Sequence, residues 1–331
     1  MAQISAYKTR RTIMSAALGA FMAAALPASA QQAANFPSKP ITFVVPFAAG
    51  SATDLIARAL GQAVSQSTGQ SVIVENKGGA SGIIAAQAAA RAPADGYTVL
   101  ITTNTTHAAN EHLYKKLPYN PVKDFVPLTG LGKGGQVLVV NASAPFNSVQ
   151  ELLEHAKKNS GKLSFGSGSS SSRMAGEMLK QLGGVDILHV PYKSNPLAIT
   201  DLMGGQIDLM ITDVSTGVPQ IQAGKLKALG FSTEERSVML PDVPTIAEAG
   251  VKGYSMGYWF AAYAPVGTPA EVTNKLSQLL GDAVESKSAE GFYKQSGTTK
   301  WRGTSAELAK FQAEETQKWG KVVKAAGIQP E

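Results

Sequence analysis

The segment FGSGSSSSRMAGEML, which begins at Phe165, sets Ser167, Ser169, Ser170, Ser171 and Ser172 between a strand-like run and an amphipathic helical pattern. Serine at that density suits one of two chemistries. As a nucleophile it needs a base held beside it by a third group. The chain has only His107, His112, His155 and His189 to supply one, and no G-x-S-x-G elbow surrounds the serines. As a neutral donor it needs no partner. Hydroxyls and backbone N–H groups at a helix N-terminus satisfy a carboxylate without a fixed counter-charge, so release stays easy. The donor reading is preferred, with contact expected from Ser167, Ser169 and Ser170. An exported hydrolase using residues 167–172 is the alternative.

A second donor cluster lies in ITFVVPFAAGSATDLIARALGQ, residues 41–62. A β-branched and aromatic run reads as a buried strand, and apolar residues at helical spacing follow from Thr53. The turn between them is small and uncharged. Backbone N–H groups that converge at such a helix start, with the helix dipole behind them, suit an anion. Phe47, Ala49, Gly50, Ser51 and Thr53 are therefore candidate ligand contacts. Asp54 is expected to cap or orient the first helical turn rather than touch an anion. Three further loops end strands: TTNTTHAANEHL, with Thr103 and Asn104 facing a cleft; HVPYKSN, with Tyr192 and Lys193; and IDLMITD, with Thr212 and Asp213. Strand carboxyl ends are where open α/β sheets hold ligands. An Asp near a bound carboxylate would repel it unless it took donors elsewhere, so Asp213 is expected to accept backbone or water donors.

These loops need a scaffold, and the order of elements supplies one. Strand-like and helix-like segments alternate along the chain, which argues for α/β layers with largely parallel sheets. Two stretches depart from the alternation. FVPLTGLGKGGQVLVVN and GYSMGYWFAAYAP are long, strand-like, interrupted by glycine and without a following helix at the usual distance. Two such strands passing from one α/β unit to another would divide the chain into 36–134 with 256–331 as one discontinuous domain and 135–255 as the second. The ligand would then sit between them.

Composition removes several function classes. The chain of 331 residues contains no cysteine, which excludes zinc thiolates, disulfides and cysteine nucleophiles. The proposed cleft loops supply no His/Asp/Glu cluster for a metal, and no Walker lysine follows the glycine-bearing turn. No cofactor is expected. Residues 1–30 read as a secretory leader: Lys8, Arg10 and Arg11, an apolar run, then the A-x-A site Ala28-Ser29-Ala30. That places the mature protein in the periplasm. The formal charge of +6 falls to +3 without the three leader cations, an ordinary surface that argues against a nucleic-acid partner.

FPSKPITFVVPFAAGSATDLIAR, VIVENKGGASG, APADGYTVL, LPYNPVKDF, LHVPYKSNPLAITDLMGGQIDLM, LPDVPTIAEAG and YWFAAYAPVGTP together resemble the Bug family, the periplasmic solute-binding proteins of tripartite tricarboxylate transporters. The resemblance covers the mature chain in order. It implies an α/β, type II periplasmic-binding-protein fold, with two domains joined by crossover strands and closing on a small carboxylate. It also implies membrane permease subunits as partners, and a monomer is expected. The 47–54 turn resembles the family loop that holds one ligand carboxylate through backbone N–H groups and bridging waters. The chain departs from the pattern at Gly50-Ser51, where the family has two glycines, and at Ile83, where a polar residue is common. It departs again at Ser194-Asn195-Pro196-Leu197, in place of Gly-Ser-Gly-Pro, and at Thr212-Asp213, in place of Asp-Asn. With Phe47, Tyr192, Tyr258 and Trp259 near the loops, the expected ligand is a C4–C6 dicarboxylate or an aromatic acid. Citrate, with three charges, would want more cations.

Overall fold

Val44 and Val45 at the end of the first strand are buried, and a chain that leaves such a strand must turn back over the sheet as a helix to cover it. The computed structural model shows this unit repeated. It describes residues 35–325 and 327–330, so the leader expected over 1–30 lies outside the described residues. Residues 39–331 form one compact unit. Its elements are β1 (Ile41–Val45), α1 (Ala52–Thr68), β2 (Val72–Asn76), α2 (Ile83–Ala90), β3 (Thr98–Thr103), α3 (Asn110–Leu113), β4 (Phe125–Asn141), α4 (Val149–Lys158), β5 (Ser164–Ser167), α5 (Ser170–Gly183) and β6 (Leu188–Pro191). They continue with α6 (Asn195–Met203), β7 (Leu209–Asp213), α7 (Val214–Gln222), β8 (Leu226–Phe231), β9 (Gly257–Pro265), α8 (Ala270–Glu285), α9 (Lys287–Ser296), β10 (Thr299–Lys300) and α10 (Ser305–Ala325).

The strands run β2-β1-β3-β9-β4-β7-β5-β6, with β8 and β10 also paired to β4. β1 is parallel to β2 and β3, and β5 is parallel to β6 and β7. Antiparallel β9 and β4 separate these two parallel sets. β4 pairs with β9 from Phe125 to Gly135 and with β7 from Gln136 to Val140, so one strand serves both halves. The carboxyl ends of β1, β3, β5 and β7 each lead into a turn or helix start at the seam between the halves.

Two local expectations change. The serine segment is not one long loop. β5 extends through Ser167 and α5 begins at Ser170, leaving Gly168 and Ser169 between them. Ser169 stops the loop because its side chain accepts from the Ser172 N–H at 3.2 Å, the bond that makes an N-cap. β9 is also followed by a helix at ordinary distance, since α8 starts at Ala270.

Candidate functional site

Four helices begin at the seam, and residues from each line one cleft with about 310 Å³ of empty space. The start of α1 contributes Ala52 and Thr53 with the capping Ser51, the loop into α5 contributes Gly168 and Ser169 and its first turn Ser171, α6 contributes Asn195, and Asp213 ends β7 immediately before α7. Phe47, Thr103, Tyr258 and Phe260 complete the wall. No Lys, Arg or His stands among these lining residues. The partial positive charge of converging helix N-termini is therefore the main attraction for an anion.

The α1 wall is held rigid from behind. Asp54, buried, accepts from the Gly50 N–H at 2.9 Å, Arg58 Nε at 3.0 Å and Asn76 Nδ2 at 2.9 Å. Burial alone would raise the Asp54 pKa. The hydrogen bonds from Arg58, Gly50 and Asn76 and the Arg58 charge outweigh it and hold the carboxyl below the ordinary value. The Ser51 side chain accepts from the Asp54 N–H and is the N-cap, while the Ser51 N–H goes to the Ala48 carbonyl. Gly50 and Ser51 have thus committed their N–H groups to the loop. The Ala52 and Thr53 N–H groups, at the first two positions of α1, have no protein acceptor among the described residues. They are the α1 donors left for a ligand. Gly50 earns its place by conformation: its φ is +80°, and an added Cβ would meet nothing within 4 Å.

The opposite wall is a short relay. The Gly168 N–H donates to Asn195 Oδ1 at 2.9 Å, and Asn195 Nδ2 donates to Asp213 Oδ2 at 2.8 Å. Because a backbone N–H can only donate, it fixes which end of the Asn195 amide faces Asp213. Burial, only partly offset by hydrogen bonds from Asn195 and the backbone, pushes the Asp213 pKa up to about 6.

The expected residues divide between the wall and its surroundings. Phe47, Ser51, Thr53, Thr103, Ser169 and Asp213 line the cleft. Ala49 and Gly50 form the turn behind Ser51. Asn104 is buried, and its Nδ2 donates to the Gly257 carbonyl at 3.4 Å. Ser167 Oγ lies 2.7 Å from His189 Nε2, a serine–histidine pair that sequence spacing did not reveal, but neither residue lines the cleft. Ser170 donates to Asn110 Oδ1 at 2.8 Å, Tyr192 donates to Asp201 Oδ2 at 2.8 Å, and Thr212 and Thr216 hydroxyls lie 2.9 Å apart. Lys193 is exposed. His107 is buried, stacked on Tyr263 at 3.9 Å, and burial pushes its pKa down to about 3, so it stays neutral in the core. Sequence reasoning did not select Ala52, Gly168, Ser171, Asn195 or Phe260. The available signal for Asn195 was the Asn-Pro pair after a strand, which marks a helix start.

Comparison with known proteins follows the same lines. The family model described as "Tripartite tricarboxylate transporter family receptor" matches residues 56–328. A UPF0065 protein from the tcbD–tcbE intergenic region of Pseudomonas sp. strain P51 is 38% identical over 297 residues, covering 89% of this chain and 88% of that protein. Protein BugT of Bordetella pertussis is 33% identical over 319 residues, 96% of this chain and 98% of BugT. Among solved structures, R. palustris Rpa4515 with adipate has a TM-score of 0.87 at 35% identity, covering 89% of this chain and 100% of its own. The periplasmic binding protein BugD gives 0.86 at 34%, with the same coverage. MatC (Rpa3494) from Rhodopseudomonas palustris with bound malate gives 0.83 at 32%, covering 87% and 100%. The fold is the type II periplasmic-binding-protein fold, with its cleft between two α/β halves.

Proposed function

We propose that this chain, which belongs to the tripartite tricarboxylate transporter receptor family, is the periplasmic receptor that delivers a C4–C6 dicarboxylate or an aromatic acid to membrane permease subunits. The protein is a solute-binding receptor of that family and not an enzyme. The observation that carries the ligand class is the cleft wall: four helix starts, the uncommitted N–H groups of Ala52 and Thr53, and no cation. Neutral donors of this kind hold a carboxylate and still let it go. Phe47, Tyr258 and Phe260 favour an apolar body between the charged ends. The adipate of Rpa4515 and the malate of MatC have the expected size. In this reading residues 1–30 are removed on export. The mature chain acts as a monomer with lobes 36–134 plus 256–331 and 135–255, and 47–54 holds one carboxylate.

A thermal-shift screen of carboxylic acids on the mature protein tests the reading. A ligand at about 100 times its Kd adds roughly 2.7 kcal/mol to stability. Adipate, malate or phthalate should raise Tm by several degrees and be recovered unchanged. A flat response across dicarboxylates and aromatic acids, or enzyme-dependent product, would reject it.

A further inference from the structure

Asp213 is an acid in the wall of a site that otherwise offers donors. We infer that the cleft captures its carboxylate ligand together with one proton, carried by Asp213. The inference rests on the carboxylate reading above and deepens it.

The groups around Asp213 give it no positive partner. From β4, Gln136 is its direct cross-strand neighbour, and the Gln136 side-chain amide is buried with no hydrogen-bond partner among the described residues. From α6 comes the neutral Asn195 amide. From α7 comes the hydroxyl of Thr216, which donates to the Asp213 carbonyl at 2.9 Å. From β9 comes Tyr258, a phenol that burial first, and then the Asp213 charge, keep un-ionised. The loop before α5 offers Gly168 and Ser169. No Lys, Arg, His or Glu lines the cleft. Burial disfavours the charged carboxyl, hydrogen bonds from the Asn195 amide and the backbone offset it only in part, and the pKa rises to about 6. A second carboxylate entering the cleft tips that balance, because two like charges in one small site without a cation favour protonation of one. The Asn195 amide, oriented by the Gly168 N–H, keeps Asp213 Oδ2 as an acceptor. The incoming proton therefore belongs on Oδ1, and neutral Asp213 then has the shape and the donor–acceptor pair of an asparagine. No bond is made or broken beyond this O–H. The proton comes from solvent and returns to it on release.

The sign follows from linkage. Ligand binding raises the Asp213 pKa, so binding takes up a proton and affinity falls as pH rises above the ligand-free value. Adipate is the probe, titrated calorimetrically between about pH 6 and 8, where simple carboxylic acids are ionised. Repetition in buffers of different ionisation enthalpy counts protons directly. The expected result is uptake approaching one proton at pH 7.5 and affinity that weakens by up to roughly tenfold per pH unit. Asp213→Asn should bind with no proton uptake and a flat profile. Binding by wild type without proton uptake, or affinity that rises with pH, would overturn the inference and leave the carboxylate reading standing. The wild-type proton count does not depend on the variant folding. If neither adipate, malate nor phthalate binds even at pH 6, the receptor reading falls, and this inference falls with it.

Discussion

At the scale of single residues, Asp54 and Gly50 show how a loop without charge on its face depends on a charge behind it. Asp54 holds the Gly50 N–H, Arg58 and Asn76 at once, so Asp54→Asn must leave at least one donor unmatched. Such a loss costs about 1–3 kcal/mol, read as a lower urea midpoint at pH 7. Because the folded pKa of Asp54 is depressed, its contribution is present above the unfolded carboxyl range and is lost as pH falls through the folded value. The gap between wild type and Asp54→Asn should therefore narrow toward pH 3. A gap of constant size would mean the carboxyl is not held ionised. Gly50 sits at φ +80° with open space around it, so a side chain there is strained by backbone conformation and not by a clash. Gly50→Asn should be tolerated better than Gly50→Val, since asparagine visits the left-handed region and a β-branched residue resists it. Both should act on binding indirectly, by tilting the Ala52 and Thr53 N–H groups. Calorimetry with adipate should rank wild type, then Asn, then Val. Equal affinity for all three would show that the α1 start does not anchor the ligand.

At the scale of elements, the parallel strands and the helices that follow them were legible because hydrophobic runs and helical spacing are local. β1, β3, β5, β6 and β7 fall on the runs that mark them. The serine segment was less legible. Any of five serines can cap a helix, and only the tertiary position of α5 selects Ser169. The same limit hid Asn195, whose role depends on a backbone N–H 27 residues away, a pairing that no local pattern encodes. The junction of α5 and α6 is also the tightest in the site. A Cβ on Gly168 would lie 1.9 Å from the Ser194 carbonyl carbon and 2.1 Å from the Asn195 N. Backbone against backbone has no flexible end to move, so Gly168→Ala must push the α5 start away from α6. The Gly168–Asn195 bond breaks, and the orientation of Asn195 toward Asp213 goes with it. The expected result is a Tm several degrees lower and adipate affinity at least tenfold weaker, with far-UV CD nearly unchanged. Wild-type affinity in Gly168→Ala would separate this relay from binding.

At the scale of the molecule, β4 and β9 connect the two halves, and the glycines of β4 are used for close packing. A Cβ on Gly134 would lie 2.5 Å from the Tyr258 hydroxyl, and one on Gly135 would lie 2.5 Å from Thr233 Cγ2. Behind the strands an open groove with about 1180 Å³ of empty space, lined by Lys133, Gly135, Thr233, Gly257 and Gly297 among others, leaves room for bending there. On the cleft side the halves meet through α5 and the segment after β3. Ser170 donates to Asn110 at 2.8 Å, and the Thr105 and Ser171 hydroxyls lie 3.3 Å apart. Ser170 and Asn110 are both buried, so parting them without water costs more than parting a surface pair. These bonds exist only when the halves are together, and a ligand touching both walls adds to them. The two long connecting stretches, residues 125–141 and 253–265, would be the hinges that let the lobes separate when it leaves. Small-angle scattering should give a smaller radius of gyration for the mature protein saturated with adipate than for the ligand-free protein. Ser170→Ala removes one latch bond but no residue of the cleft wall. It should leave the ligand-bound radius alone, enlarge the ligand-free radius or leave it at the open value, and weaken adipate binding by less than Gly168→Ala does. Identical radii with and without adipate, in wild type and Ser170→Ala alike, would mean that the halves do not move and that the cleft fills by another route.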